Sequence, residues 1–226
     1  MIRKSLFTLL FLFATPWTTA QDTDWEQLLQ SQLAEAELDT HQRFAFSQST
    51  TNQDNERQVA SFTPKREPQW QLISVDDRAP TDKEQSKFLK ERERASERRG
   101  EDRFADLITP GTVAVADVTD SRILLTFAPY LKDMSAEDSQ AFMRGEAEVD
   151  PQTLRLLSLR IFSIDKFSPS FGVSIARLTI QFEFATFLGQ TLPAHYLFSF
   201  QGKVAGMKKI DVESSIRYGD YQPVDG

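Results

Sequence analysis

The chain has no cysteine and only two histidines, His41 and His195. The first absence excludes disulfides, thiolate metal sites, cysteine nucleophiles and a lipid-modified N-terminal cysteine. The second leaves too few imidazoles for most histidine-built metal centres. Positive charge is also scarce: 26 basic residues against 33 acidic ones give a net charge of −7. Nucleic-acid binding needs a basic face to neutralise phosphates, so that partner class is excluded. After the first twenty residues no apolar run approaches the ~18 residues that span a bilayer. Neither a Gly-x-Ser-x-Gly elbow, a His-Glu-x-x-His pair nor a phosphate-cradling glycine loop occurs. What the chain does have is phenylalanine, 18 in 226 residues. With 40% hydrophobic and 26% charged residues it can build a full core under a soluble surface.

Residues 1–20 have the form of a cleaved secretory signal. Arg3 and Lys4 make a charged start, Leu6 to Ala14 an apolar middle too short for an anchor, and Thr18-Thr19-Ala20 a small-residue end. Cleavage there leaves 21–226 as one domain, since no composition break or internal repeat divides it. The short charged start and the lack of cysteine favour the periplasm.

The rest reads as an α+β chain dominated by strands. Trp25, Leu28, Leu29, Leu33 and Ala36 recur at helical spacing over 23–38, with Glu26, Gln30 and Glu35 turned outward. The period then becomes two. Phe44 and Phe46 alternate with polar residues, 51–55 reads as a hairpin loop, and Val59–Thr63 and Trp70–Val75 as strands. The last of these has room for cover on both faces. Thr81 and Glu84 form a capping box for a helix over 81–99. Its neighbourhood, Asp82 to Arg103, holds eight basic and seven acidic residues but only Phe88 and Leu89 as large apolar contacts. Such a balanced run is ordinarily a solvated face. Strands are expected at 112–118 and 122–128, a helix from Ser135 to Gly145, then long strands at 153–163, 172–187, 192–204 and 210–218, with 219–226 as a tail. About nine strands with short connections imply antiparallel neighbours in one large, strongly curved sheet with helices on one face.

Parity assigns the aromatic residues to one wall. Leu178, Ile180, Phe182 and Phe184 share a face, as do Tyr196, Phe198 and Phe200 on the next strand. Phe44 and Phe46, Trp70 with Leu72, and Ile123, Leu125 and Phe127 repeat the pattern. An ordinary filled core would account for such a wall. A loosely covered one would hold an acyl chain or other greasy ligand, and the helix over 81–99 has too few apolar residues to seal it.

Three segments carry a family resemblance. Phe44-Ala45-Phe46-Ser47-Gln48 after one amphipathic helix resembles the first strand of the periplasmic outer-membrane lipoprotein carriers, the LolA/LolB-like superfamily. Lys65-Arg66-Glu67-Pro68-Gln69-Trp70 is similar to the basic-proline-aromatic stretch that follows there. The run from Trp70 to Thr81 and the closing Tyr218-Gly219-Asp220-Tyr221 are similar to uncharacterised exported members. The resemblance implies an open half-barrel with helices plugging its concave side and a cavity for lipoprotein acyl chains. It also implies that Arg66 matches the arginine that holds the carriers' lid helices. Glu67 before Pro68 and the charged helix depart from the carrier pattern. Taken as a residue alone, Arg66 is a surface arginine with its methylenes laid on neighbours.

No spacing asks for catalysis or a cofactor. His41 and His195 read as structural, Glu183 as a cross-strand partner for a base, and Asp76-Asp77, Asp117 and Asp120 as turn residues. The expected function is therefore non-enzymatic binding of a lipid, acyl chain or acylated protein. The alternatives are an interaction module with a filled core docking an envelope protein, and a hydrolase with an unmarked carboxylate site.

Overall fold

The computed structural model describes residues 23–97, 104–130, 134–170, 172–204 and 208–224; residues 1–20, where a signal is expected, lie outside them. The first element is α1, Trp25–Arg43, capped by Asp24, whose carboxylate accepts from Gln27 N at 3.0 Å. Eleven strands follow: β1 Phe44–Thr51, β2 Arg57–Phe62, β3 Trp70–Val75, β4 Ala114–Val118, β5 Ile123–Phe127, β6 Met143–Val149, β7 Leu156–Ser163, β8 Phe167–Ser170, β9 Val173–Phe187, β10 Gln190–Val204 and β11 Lys208–Pro223. Helix α2, Asp82–Glu97, lies between β3 and β4, and α3, Ala136–Phe142, between β5 and β6.

All strands belong to one antiparallel sheet in the order β3-β2-β1-β11-β10-β9-β7-β6-β5-β4, with β8 hydrogen-bonded to β9 beside that path. The two ends, β3 and β4, do not pair, so the sheet is an open half-barrel. It joins first and last segments: β1 pairs with β11 from Phe44 opposite Pro223 to Thr51 opposite Ser215.

The expected nine strands become eleven by the addition of β6 and β8, and a further correction lengthens β11. The helix expected to reach Gly145 ends at Phe142, and Gly145 lies inside β6. Met143, Gly145, Ala147 and Val149 alternate inward against Arg144, Glu146 and Glu148, a strand pattern hidden by two small residues. Gly145 stands opposite Phe127, and a Cβ there would come within 2.2 Å of the Phe127 ring. Gly145→Ala must therefore displace Phe127 and is expected to cost about 1–3 kcal/mol, read as a lower denaturant midpoint. The supposed tail from 219 is the end of β11 as far as Pro223. Tyr221 there donates to Pro193 O at 2.5 Å, and its ring meets Phe44, Phe46 and Phe187. A bulge, with Asp220 at φ 54°, carries the strand past the break in alternation. A third correction concerns β3: Trp70, Leu72 and Val75 are buried while Ile73 is 46% exposed, so only one face is covered.

Two apolar clusters lie on the same face of the sheet. In the larger, Leu29, Leu33 and Ala36 of α1 enter a bowl that includes Leu125, Leu159, Ile161 and Phe182. In the smaller, Phe46, Phe62, Trp70 and Leu72 of β1–β3 pack with Phe88 of α2. Polar contacts fix α1 in its bowl. The Gln32 Oε1 accepts from Leu156 N at 2.7 Å and from the Thr191 hydroxyl at 3.0 Å, and its amide nitrogen donates to Leu154 O. Glu35 pairs with Arg155 at 3.0 Å and Glu26 accepts from Gly111 N at 2.7 Å. The two carboxylates expected to point to solvent thus tie the helix to its surroundings.

Candidate functional site

The residues of the expected wall do not share one environment. Phe46 and Trp70 belong to the β1–β3 cluster, with Trp70 5.7 Å from Phe46 and 5.0 Å from Phe62 between ring centroids. Phe44 is buried against Phe187 and Tyr221, and Phe127 under Gly145. Leu178, Phe182 and Phe184 are buried in the larger cluster. Ile180, Tyr196, Phe198 and Phe200 are only half-buried at its margin.

Strand register shows that this half-buried group continues across the sheet. Phe198 stands opposite Ile180 on β9, Tyr196 opposite Ile216 on β11, and Phe200 opposite Val212. Val212 and Ile216 are themselves half-buried. The result is an apolar stripe over the three longest strands, between the two filled clusters. Its β11 members were readable from the alternation of Ile210, Val212, Ile216 and Tyr218, but their place in the stripe needed the pairing. Burial, with the nearby Tyr218 phenol, pushes the Tyr196 hydroxyl above its ordinary pKa, so the stripe carries no charge there at neutral pH.

Helix α2 covers a different place. Phe88 meets Trp70 at 6.3 Å, and the Arg92 guanidinium lies 4.2 Å from the Trp70 ring centroid and 4.9 Å from that of Phe88. The helix is anchored at its start. Val75-Asp76-Asp77-Arg78 turns tightly with both aspartates at positive φ. Arg78 then binds Glu84 through two bonds of 2.9 and 2.6 Å, while Glu84 also accepts from Thr81 N and Oγ1 at 2.8 Å each. Arg78 foremost, then these Thr81 bonds, hold the Glu84 carboxyl well below the usual range. Between α2 and the segment before β3 runs an open cleft of about 600 Å³ lined by Pro68, Trp70, Leu89 and Arg92 among others. Arg66 is exposed and donates to Gln71 Oε1 at 2.6 Å, along the sheet edge. The arginine laid on the aromatic residues is Arg92, which nothing in the α2 charge run distinguished.

On the opposite face His195 lies between Ser215, with Nε2 2.9 Å from the hydroxyl, and Glu183, with Nδ1 3.4 Å from the carboxylate. Glu183 thus has the cross-strand base its position suggested. The order serine–histidine–carboxylate is that of a nucleophilic triad. Here it lies across three mid-sheet strands, β9, β10 and β11, beside a bulge between Pro193 and His195. No group of three or more metal-ligating side chains is found among the described residues, and no described helix is long and apolar enough to cross a membrane.

No family model matches the chain, and no curated protein matches it. A crystal structure of a LolA superfamily protein from Nitrosomonas europaea is similar to 87% of this chain and 94% of its own, at 12% identity and a TM-score of 0.35.

Proposed function

We propose that this is an exported, non-enzymatic protein that holds an apolar ligand, a lipid, an acyl chain or an acylated protein, against the concave face of its half-barrel. One observation carries the reading. Six large side chains, Ile180, Tyr196, Phe198, Phe200, Val212 and Ile216, are contiguous across β9–β11 and remain half-buried while the clusters beside them are filled. A contiguous apolar surface of this kind is costly to leave wet and is commonly a binding site. The filled-core alternative has its own support in Leu29 and Leu33, which α1 inserts with no exposure. In that reading α1 completes the core and the outer surface does the binding.

Uptake of a fluorescent fatty acid by soluble, delipidated protein separates the two. Saturable uptake is expected, and Phe198→Asp should weaken it by about tenfold or more, equivalent to ~1.4 kcal/mol, without shifting the unfolding midpoint comparably. Absence of uptake, together with no lipid in mass spectra of freshly isolated protein, would favour the filled core.

A further inference from the structure

At one end of the sheet the chain gathers four lysines that form no ion pair among the described residues. Lys203 on β10 stands directly opposite Lys209 on β11, with Lys208 beside it opposite Val204. Lys166, between β7 and β8, lines the same shallow pocket of about 310 Å³ as Lys203 and Lys209. All four are exposed, and none forms an ion pair among the described residues. Two carboxylates are close, Asp165, which accepts from Lys166 N at 2.6 Å, and Asp211, which lines the same pocket and accepts from the Gln201 amide at 3.4 Å, so four lysines against two aspartates leave this end cationic. Like charges placed opposite each other oppose strand pairing, so Lys203 and Lys209 do not serve the sheet. In a chain of net charge −7 a cationic end is also not a consequence of composition.

Two apolar features coincide with this end. Ile164, two residues from Lys166, is 48% exposed. The half-buried stripe also terminates here: the Phe200 ring lies against Gly202, where an added Cβ would be 2.9 Å from its Cζ, and Lys203 is the next residue.

We propose that this end of the half-barrel docks on an anionic bilayer. Ile164 enters the headgroup layer while Lys166, Lys203, Lys208 and Lys209 reach lipid phosphates, their methylenes lying along the interface. The geometry suits a surface of negative charge: exposed lysines and one exposed isoleucine lie at the same end of the sheet. The orientation also turns the open end of the apolar stripe toward the lipid. The proposal does not depend on the stripe holding a ligand.

Soluble protein is sedimented with vesicles of phosphatidylcholine alone or of an equal mixture with phosphatidylglycerol. Binding is expected only to the mixture, and to fade as salt approaches about 0.5 M, where charges are screened within a few Å. Lys203→Gln with Lys209→Gln should weaken it about thirtyfold, and Ile164→Ser severalfold with the salt dependence kept. Equal binding to neutral vesicles, no binding to either, or an unchanged double variant would overturn the proposal. So would displacement by inorganic phosphate at constant ionic strength, which would mark a site for a soluble anion. Fatty-acid uptake measured on the same variants should stay at the unmodified level, which keeps failure of docking distinct from failure of the ligand site.

Discussion

Phe62→Ala is expected to lower stability by about 3–5 kcal/mol, the largest single loss in the β1–β3 lobe. Phe62 is among the largest fully buried side chains. Its ring centroid lies 5.0 Å from those of Phe46 and Trp70 and 5.1 Å from that of His41. Truncation removes the centre of a cluster whose other members come from three strands and α2, and a small lobe has little with which to refill the space. The damage should be regional. Hydrogen exchange is expected to quicken most in β1–β3 and α2, whereas β5–β7, whose inward side chains belong to the larger cluster, should keep more of their protection. Denaturant titration gives the loss, and exchange by mass spectrometry gives its place. A loss below about 1 kcal/mol would mean that the smaller cluster is not a core.

That division into two lobes was beyond the sequence, although much of the sheet was not. Strands β9 and β10 were legible because large apolar residues alternate at Leu178, Ile180, Phe182 and Phe184 and at Tyr196, Phe198 and Phe200, and α1 because Leu29, Leu33 and Ala36 keep helical spacing. Strand β6 was lost because its inward positions include Gly145 and Ala147, whose smallness answers the Phe127 ring on the neighbouring strand. The end of β11 was lost because the bulge near Asp220 breaks the period of two, and the pairing that restores it comes from β1, some 170 residues earlier. Strand register sets the inward aromatic residues of β9 and β10 beside one another. Which of them stay half-buried depends on where α1 and α2 come to rest. Helix α1 lies on β10 and β1, and α2 on β3 at the sheet edge, so neither landing site follows from local pattern. For the same reason Arg92 could not be told from its seven basic neighbours, since only its seat over Trp70 sets it apart.

Leu33→Ala should cost about 2–5 kcal/mol, and the missing volume makes this more than a stability measurement. Leu33 has no exposure and belongs to the cluster against which Tyr196, Phe198 and Phe200 pack. Neighbouring Gln32 provides the comparison. Gln32→Ala would strand the buried Leu156 N–H and is expected to cost about 1–3 kcal/mol without opening an apolar hollow beside the stripe. If the stripe holds an acyl chain, the hollow left by Leu33→Ala extends the same apolar space, and a fatty acid should recover part of the lost stability. A ligand at about a hundred times its dissociation constant contributes ~2.7 kcal/mol to the folded state. The expected result is therefore a large drop in Tm for Leu33→Ala, partly reversed by fatty acid, and a smaller drop for Gln32→Ala with less reversal. If both variants lose stability and fatty acid restores neither, α1 is a fixed part of a filled core. A Leu33→Ala protein as stable as the unmodified chain would instead show that α1 does not bear on the bowl at all.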